Sequence, residues 1–219
     1  MAIFFRAELA AATGDFADAR CIGSGGFGSV YHAPRLRGLG AGGLAIKKLD
    51  MASMQGQTEF LQEVQVLGAC RHKNLTPLLG FAADAGPVCL VTPLMRGGSL
   101  ADRLTLDGPA RARLSKLPGA PAGGFAPLSW RQRLAVAVDV VRGLLFLHTP
   151  DADTYKPAIL HRDVKPNNIL LDLDDHARLA DMGLARAQRP EAAHLTTATS
   201  IAGTNGYLDE YYQNTGRFD

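Results

Sequence analysis

Residues 160–171, which read LHRDVKPNNILL, decide the fold and the function of this chain. The alternation of polar residues predicts an extended loop, and the apolar residues 169–171 predict a buried strand that anchors it. Asp163 can accept a proton, Lys165 can offset phosphate charge, and the amide oxygen of Asn168 can bind Mg²⁺. The stretch therefore suits phosphoryl transfer to a hydroxyl. Taken alone, it also fits a charged surface turn before a strand.

A glycine-rich segment precedes it. Residues 22–30 read IGSGGFGSV and follow the pattern G-x-G-x-x-G-x-V. Glycines let the backbone pass close over phosphates and donate amide hydrogens to them. Because the pattern continues as a strand rather than opening a helix, it favours a hairpin over ATP and not a dinucleotide-binding turn. The predicted nucleotide-contacting residues are Ile22, Gly23, Ser24, Gly25, Gly26, Phe27, Gly28, Ser29 and Val30.

A short apolar strand with two lysines follows at residues 44–49, LAIKKL. Strand alternation puts Ala45 and Lys47 on one face and Ile46 and Lys48 on the other. Ala45 is small enough to lie against adenine, so Lys47 is the predicted ligand of the α and β phosphates. An exposed strand lysine is the alternative, and it suits Lys48 better.

A helix is predicted over residues 58–70, where Phe60, Val64 and Leu67 recur at helical spacing. Glu63 lies on the adjoining stripe, and we expect it to pair with Lys47. A solvated helical glutamate is the plain alternative to this pairing.

The last motif is residues 177–186, ARLADMGLAR. Asp181 ends a predicted strand and precedes a Met-Gly pair. Its carboxylate is the predicted main Mg²⁺ ligand, together with Asn168.

In this order the motifs resemble those of the eukaryotic protein kinases, and the resemblance covers nearly the whole chain from about Phe16. Residues 7–16 (AELAAATGDF), 71–75 (RHKNL) with 78–81 (LLGF), and 203–209 (GTNGYLD) look most like the plant receptor-like and Pelle group. Lys165 after Asp163 is similar to the serine/threonine kinases. The resemblance implies an α+β fold of two lobes, with a small antiparallel sheet in the first lobe and mainly helices in the second.

The resemblance also implies further roles. Thr92 resembles the gatekeeper of the adenine pocket, followed by the hinge Pro93-Leu94-Met95, in which Met95 donates to adenine. Arg162 resembles the arginine that receives an activating phosphate, and Thr204 the threonine that bridges Asp163 and Lys165. The residues that resemble those around adenine are Val30, Ala45 and Leu170. The residues that resemble the apolar column connecting the lobes are Leu67, Leu78, His161 and Met182. The candidate phosphosites are Thr196, Thr197, Thr199 and Ser200.

Composition excludes several other classes. The chain has 219 residues, 47% of them hydrophobic, and a net charge of +2, which fits one two-lobed domain and favours no nucleic-acid partner. Three widely spaced cysteines indicate reduced thiols in a cytosol. Nothing approaches a membrane span. We expect a cytoplasmic protein or the cytoplasmic part of a membrane-anchored parent.

We expect an N-terminal extension over 1–15, a first lobe over 16–95 and a partial second lobe over 96–219, with a disordered insertion at about 105–128. After Gly206-Tyr207-Leu208 the family pattern continues toward a Pro-Glu pair, whereas this chain reads Asp209-Glu210-Tyr211-Tyr212, as if the proline were missing. The chain then stops at Asp219, before the helices that complete the second lobe. We therefore expect a truncated product or the N-terminal part of a longer domain, with uncovered apolar surface on the predicted helix at 130–148.

The expected function is that of an ATP-dependent, Mg²⁺-dependent protein serine/threonine kinase in signalling. Its expected partners are proteins with Ser or Thr acceptors, and either an upstream kinase or autophosphorylation would activate it. The alternative is an inactive nucleotide-binding fragment that acts as an interaction module. A small-molecule kinase fits Arg162, Lys165 and Thr204 less well.

Overall fold

The computed structural model describes residues 1–25, 28–39, 43–49, 54–84, 87–188 and 201–216, without the side chains of residues 54–57 and 59. The first lobe is a six-stranded sheet with strands β1 (Ala2–Ile3), β2 (Cys21–Gly25), β3 (Gly28–Ala33), β4 (Leu44–Leu49), β5 (Gly80–Ala82) and β6 (Cys89–Pro93). Their spatial order is β1-β5-β6-β4-β3-β2, and every pair is antiparallel except β1 with β5.

The N-terminal residues are an integral part of this lobe. Helix α1 (Arg6–Thr13) buries Leu9 completely, and the backbone amide of Arg6 donates to both carboxylate oxygens of Asp84 at 2.9 and 3.0 Å. Leu9, Phe4 and Phe16 share a buried cluster with residues of β3 and β4. The expected extension therefore adds a strand and a helix to the sheet.

Helix α2 (Met54–Ala69) joins the two lobes through its buried side. Phe60, Val66 and Leu67 belong to a core cluster that also contains Leu75 and buried residues of the second lobe. Of the predicted stripe, Phe60 and Leu67 are buried and Val64 is half-buried against the same cluster, while Glu63 beside it is 4% exposed. Glu63 is thus carried on the face that points into the molecule.

The second lobe is mainly helical around α5. Its elements are β7 (Gly98–Ser99), α3 (Leu100–Thr105), α4 (Gly108–Ser115), α5 (Trp130–His148), β8 (Ile159–Leu160), a 3₁₀ turn (Pro166–Asn168), β9 (Ile169–Leu171), β10 (Ala177–Leu179), β11 (Arg186–Ala187) and α6 (Glu210–Thr215). Ser129 and Gln132 form a capping box that starts α5. A Cβ on Gly143 would lie 2.9 Å from the carbonyl oxygen of Asn74, so this helix packs closely against the segment that precedes β5.

The expected disordered insertion at 105–128 is wrong, because the structure orders it. Asp107 accepts a hydrogen bond from the amide of Ala110 at 2.8 Å and caps α4. Leu106, Leu114, Leu117 and Phe125 are buried in one cluster with hinge residue Leu94. The Pro, Gly, Ala and Arg content predicts a linker. Of the four prolines, however, Pro109 lies in the first turn of α4, where proline is tolerated, and the apolar residues of the segment return to one core.

One face of α5 exposes large apolar side chains at helical spacing. Trp130 is 79% exposed and Leu145 is 64% exposed, and the same stripe includes Leu134, Val138 and Val141. The uncovered apolar surface predicted for this helix is present. Among the described residues, no helix has both the length and the apolar character that crossing a membrane requires.

Candidate active site

The glycine-rich segment forms the predicted hairpin. Strands β2 and β3 pair antiparallel, with Gly23 opposite Val30 and Gly25 opposite Gly28. Gly28 has φ of 128°, and a Cβ there would lie 2.1 Å from the carbonyl oxygen of Lys48. Only glycine fits this close approach, so the hairpin rests directly on β4. Gly26 and Phe27 lie outside the described residues.

Lys47 connects the two lobes. Its Nζ lies 3.2 Å from Oε2 of Glu63 on α2 and 2.7 Å from Oδ1 of Asp181, which follows β10. The predicted pairing of Lys47 with Glu63 is therefore present, and Asp181 joins it. The neighbouring Lys48 points away, with its Nζ 4.8 Å from the centroid of the Phe16 ring. The two lysines therefore lie on opposite faces of β4, as strand alternation predicts.

The lysine stays charged in this setting. Burial alone would lower the pKa of Lys47, but the carboxylates of Glu63 and Asp181 outweigh that effect and raise the pKa above its ordinary value. The Glu63 side chain is only 6% exposed, whereas those of Lys47 and Asp181 are 21% and 26% exposed. Lys47 and Asp181 thus retain a solvent-facing side on which a phosphate or a cation can bind.

Asp163 is the centre of a second polar cluster. The hydroxyl of Thr204 donates to its Oδ1 at 2.6 Å, and the Nζ of Lys165 lies 2.8 Å from its Oδ2. Lys165 also donates to the Thr204 hydroxyl at 2.6 Å. Thr204 therefore bridges Asp163 and Lys165, as the resemblance implies, and fixes the distance between the carboxylate and the ammonium group.

Asn168 completes this cluster from the 3₁₀ turn. Its amide nitrogen donates to the backbone carbonyl of Asp163 at 2.9 Å and to Oδ2 at 2.8 Å. Burial would raise the pKa of Asp163, but the hydrogen bonds from Lys165, Thr204 and Asn168 lower it below the usual value. An ionised carboxylate has about four acceptor positions, and these three partners use three of them. By this count one acceptor position is left on a side chain that is 3% exposed.

The donor set suits Mg²⁺. Since the Asn168 nitrogen is committed to Asp163, the amide oxygen is the atom that this residue can offer to a cation. The Asp181 carboxylate would be the second oxygen ligand, and hard oxygen ligands are those that Mg²⁺ prefers. The amide of Ala180 donates to the carbonyl of Asn168 at 2.9 Å, which ties the two ligand-bearing segments together.

His161 holds the loop of residues 161–168, which carries Asp163 and is called the catalytic loop from here on, against the segment that carries Asp181. Its Nδ1 accepts from the amide of Asp163 at 3.3 Å, so the proton belongs on Nε2, which lies 3.2 Å from the carbonyl oxygen of Ala180. Burial lowers the pKa of this histidine and keeps it neutral. The backbone φ angles of Arg162 and Asp181 are positive, 68° and 65°, a conformation that is costly for any residue other than glycine.

The predicted adenine side is built from β4, β6 and the hinge. Ala45 pairs with Thr92 across the sheet, and Pro93 with Leu44. Ile22 and Ala45 pack against the cluster that contains hinge residue Leu94. The remaining predicted residues lie on elements around this region: Val30 on β3, Met95 after β6 and Leu170 on β9. Val30, Ala45 and Leu170 are each half-buried.

The predicted apolar column is buried throughout. Leu67, Leu78 and Met182 share one core cluster, and His161 is 2% exposed. Met182 is completely buried, so methionine fills the position where the family pattern has phenylalanine.

One contact near the site had no signal in the sequence. Nη2 of Arg162 donates to the hydroxyl of Tyr212 at 2.8 Å, across fifty residues of chain. The resemblance had suggested only that Arg162 receives a phosphate. The candidate phosphosites Thr196, Thr197, Thr199 and Ser200 lie outside the described residues.

A two-lobed fold with Lys47 held by Glu63 and Asp181, and a catalytic loop centred on Asp163, defines a protein kinase. The protein kinase domain family matches residues 16–210, and the chain belongs to this family. It is similar to plant receptor-like kinases and groups with serine/threonine kinases.

Three relatives illustrate the similarity. The Arabidopsis thaliana protein BRASSINOSTEROID INSENSITIVE 1 is 40% identical over 209 residues, which is 95% of this chain and 16% of that protein. A probable LRR receptor-like serine/threonine-protein kinase of Arabidopsis thaliana is 40% identical over 215 residues, which is 94% of this chain and 19% of that protein. The receptor protein kinase WSS1 of Oryza sativa subsp. japonica is 37% identical over 211 residues, which is 95% of this chain and 21% of that protein. The chain spans well under a third of the length of these relatives.

Proposed function

We propose that this chain is an ATP-dependent kinase domain that phosphorylates serine and threonine hydroxyls of proteins. The observation that carries the proposal is the ionised Asp163, held by Thr204, Lys165 and Asn168 with one acceptor position left. This arrangement fits a group that orients a hydroxyl and takes its proton. Similarity to relatives named as serine/threonine kinases supports the choice of acceptor.

The residues then have distinct roles. The substrate hydroxyl donates its hydrogen to Asp163 while its oxygen bonds to the γ-phosphorus, and the bond from that phosphorus to the bridging oxygen breaks. Lys165, 2.8 Å from Asp163, offsets charge on the transferring group. Lys47 binds the α and β phosphates. ATP supplies the phosphoryl group, and Mg²⁺ offsets the charge of its phosphates.

The nucleotide contacts belong to the same proposal. Asn168 and Asp181 would hold Mg²⁺, and the hairpin from Ile22 to Val30 would cover the phosphates. Thr92 would lie at the back of the adenine pocket, while the carbonyl of Pro93 and the amide of Met95 would contact the adenine edge. Val30, Ala45 and Leu170 would pack on its faces.

The biological setting is also inferred from the relatives. Similarity to receptor-like kinases supports a role in signalling, in the cytoplasm or on the cytoplasmic part of a membrane-anchored parent. We expect activation by phosphorylation among Thr196, Thr197, Thr199 and Ser200, from an upstream kinase or from the chain itself.

A second candidate function is an inactive nucleotide-binding module that binds partner proteins. The exposed apolar stripe of α5 favours it, because uncovered patches of this kind often mark interaction surfaces. This candidate keeps ATP binding and lacks phosphoryl transfer.

Transfer of radiolabelled γ-phosphate separates the two candidates. The chain is incubated with labelled ATP, Mg²⁺ and a generic basic protein, and the labelled amino acids are identified after acid hydrolysis. We expect labelled phosphoserine and phosphothreonine in reactions catalysed by the original chain and by Asp174→Asn, a control in an exposed turn. We expect no label in reactions with Asp163→Asn. Label that persists in Asp163→Asn would contradict the role of Asp163; ATP binding without any transfer would favour the module.

A further inference from the structure

The hydroxyl of Tyr212 joins two segments that are distant in sequence. It accepts one hydrogen bond from Nη2 of Arg162 at 2.8 Å and another from the backbone amide of Ala202 at 3.1 Å. The tyrosine is only 6% exposed. Asp209 caps α6 by accepting from the amide of Tyr212 at 2.9 Å, which fixes the helix that carries the ring.

Both of these segments build the catalytic cluster. Arg162 directly precedes Asp163, and Ala202 lies two residues before Thr204. Gly203, between Ala202 and Thr204, passes so close to the catalytic loop that a Cβ at this position would lie 2.9 Å from the carbonyl oxygen of Arg162. The segment of residues 201–204 therefore crosses the loop at Arg162 and presents the Thr204 hydroxyl to Asp163 and Lys165.

The crossing needs an external support. Arg162 has the left-handed φ of 68°, and such backbone persists where surrounding contacts over-determine it. The Tyr212 hydroxyl contacts both sides of the crossing, since one of its hydrogen bonds comes from the loop and the other from residues 201–204. Removing the hydroxyl takes an acceptor from the Arg162 guanidinium and from the Ala202 amide together, and each loss costs stability in these partly buried surroundings.

We propose that Tyr212 is a positioning residue, whose hydroxyl clamps residues 201–204 to the catalytic loop and so holds Thr204 between Asp163 and Lys165. The inference rests on the proposed kinase function. Tyr212 touches none of the reacting atoms; it acts through Arg162 and Ala202. In this clamp the Tyr212 hydroxyl binds the arginine that, by the resemblance, would bind a phosphate.

The test compares Tyr212→Phe with Tyr211→Phe, which removes the same hydroxyl from the neighbouring, 46% exposed position on α6. We expect Tyr212→Phe to lower kcat about tenfold with KM for ATP within twofold, because Lys47 and Glu63 are untouched. Tyr211→Phe keeps the kcat of the original chain. A double variant with Thr204→Val separates this role from general loosening: if Tyr212 acts through Thr204, adding Tyr212→Phe to Thr204→Val lowers kcat no further.

A second readout does not depend on activity. Hydrogen exchange of the amides at 201–204 is expected to quicken in Tyr212→Phe and to stay unchanged in Tyr211→Phe. Equal exchange in both variants, or an unchanged kcat in Tyr212→Phe, would overturn the clamp. If the original chain transfers no more phosphate than Asp163→Asn, the proposed function fails, and the exchange comparison alone decides the clamp. Should Tyr212→Phe not fold, Arg162→Lys removes the same contact from the other side, with the same expected quickening of exchange.

Discussion

Replacing Lys47 with methionine is the sharpest perturbation of the link between the lobes. In the native chain its ammonium group lies 3.2 Å from Glu63 and 2.7 Å from Asp181. Methionine keeps most of the apolar stem, so the change removes the charge rather than the packing. The Glu63 carboxylate, 6% exposed, then loses its cation in a place that water hardly reaches, whereas Asp181 is 26% exposed and can be hydrated.

The expected cost follows from that difference. Removing one partner of a buried ion pair costs about 3–5 kcal/mol, and the hydration of Asp181 places Lys47→Met near the lower end, about 3 kcal/mol. Glu63→Gln keeps an acceptor for Lys47 and leaves its contact with Asp181, so we expect about 1 kcal/mol. Lys48→Met is the matched control. It removes only a cation–π contact with Phe16, worth about 0.5–1 kcal/mol.

Urea unfolding followed by circular dichroism measures these differences. At urea m-values of about 1–3 kcal/mol/M, a loss of about 3 kcal/mol lowers the midpoint by about 1–3 M. The double variant Lys47→Met with Glu63→Leu is expected to recover part of the loss, because it leaves no carboxylate at the buried position. If Lys47→Met and Lys48→Met have the same midpoint, the ion pair does not join the lobes as described.

Three further predictions concern other parts of the molecule. Gly28→Ala places a methyl group against the Lys48 carbonyl, so we expect weaker ATP binding in a fluorescence titration. The control Gly123→Ala changes an open turn and should leave the ATP affinity unchanged. Equal ATP affinities of the two variants would contradict the close approach of the hairpin to β4. Leu145→Lys interrupts the apolar stripe of α5 and should reduce self-association in sedimentation velocity, whereas the same distribution as the original chain would show that the stripe does not drive association. The pKa of Asp163 is lower in the folded chain than in the unfolded chain, so its ionisation stabilises the fold above about pH 4, and this contribution is lost as the pH falls through the folded pKa. The difference in unfolding free energy between the original chain and Asp163→Asn should therefore shrink from pH 6 to pH 3. A constant difference would refute the assignment.

The sequence predicts the site well where the chemistry is local. The position of Asp163, Lys165 and Asn168 within six residues fixes their mutual reach once the loop is anchored by the strand at 169–171. Strand alternation puts Lys47 and Lys48 on opposite faces, and the small Ala45 on the face of Lys47 selects that face for the nucleotide. The stripe of α2 likewise placed Glu63 on an inward face, because helical periodicity is a property of the segment itself.

The sequence predicts less where a contact depends on tertiary packing. Tyr212 meets Arg162 through the path of residues 201–204, which no periodicity records. The parallel pairing of β1 with β5 joins residues about eighty positions apart. The region at 105–128 has the composition of a linker, and its few leucines and Phe125 become a core only against hinge residue Leu94. Composition measures the average character of a segment, whereas burial depends on the few residues that meet a partner.

The central claim is that Asp163 is the group that takes the proton from a substrate hydroxyl. The most direct measurement is the initial rate of γ-phosphate transfer at saturating ATP and Mg²⁺ for the original chain and Asp163→Asn, with ATP affinity measured on the same samples. The account predicts a rate that falls by about 10²–10⁴-fold with an ATP affinity that is unchanged within about twofold. Equal rates in the two proteins would contradict it.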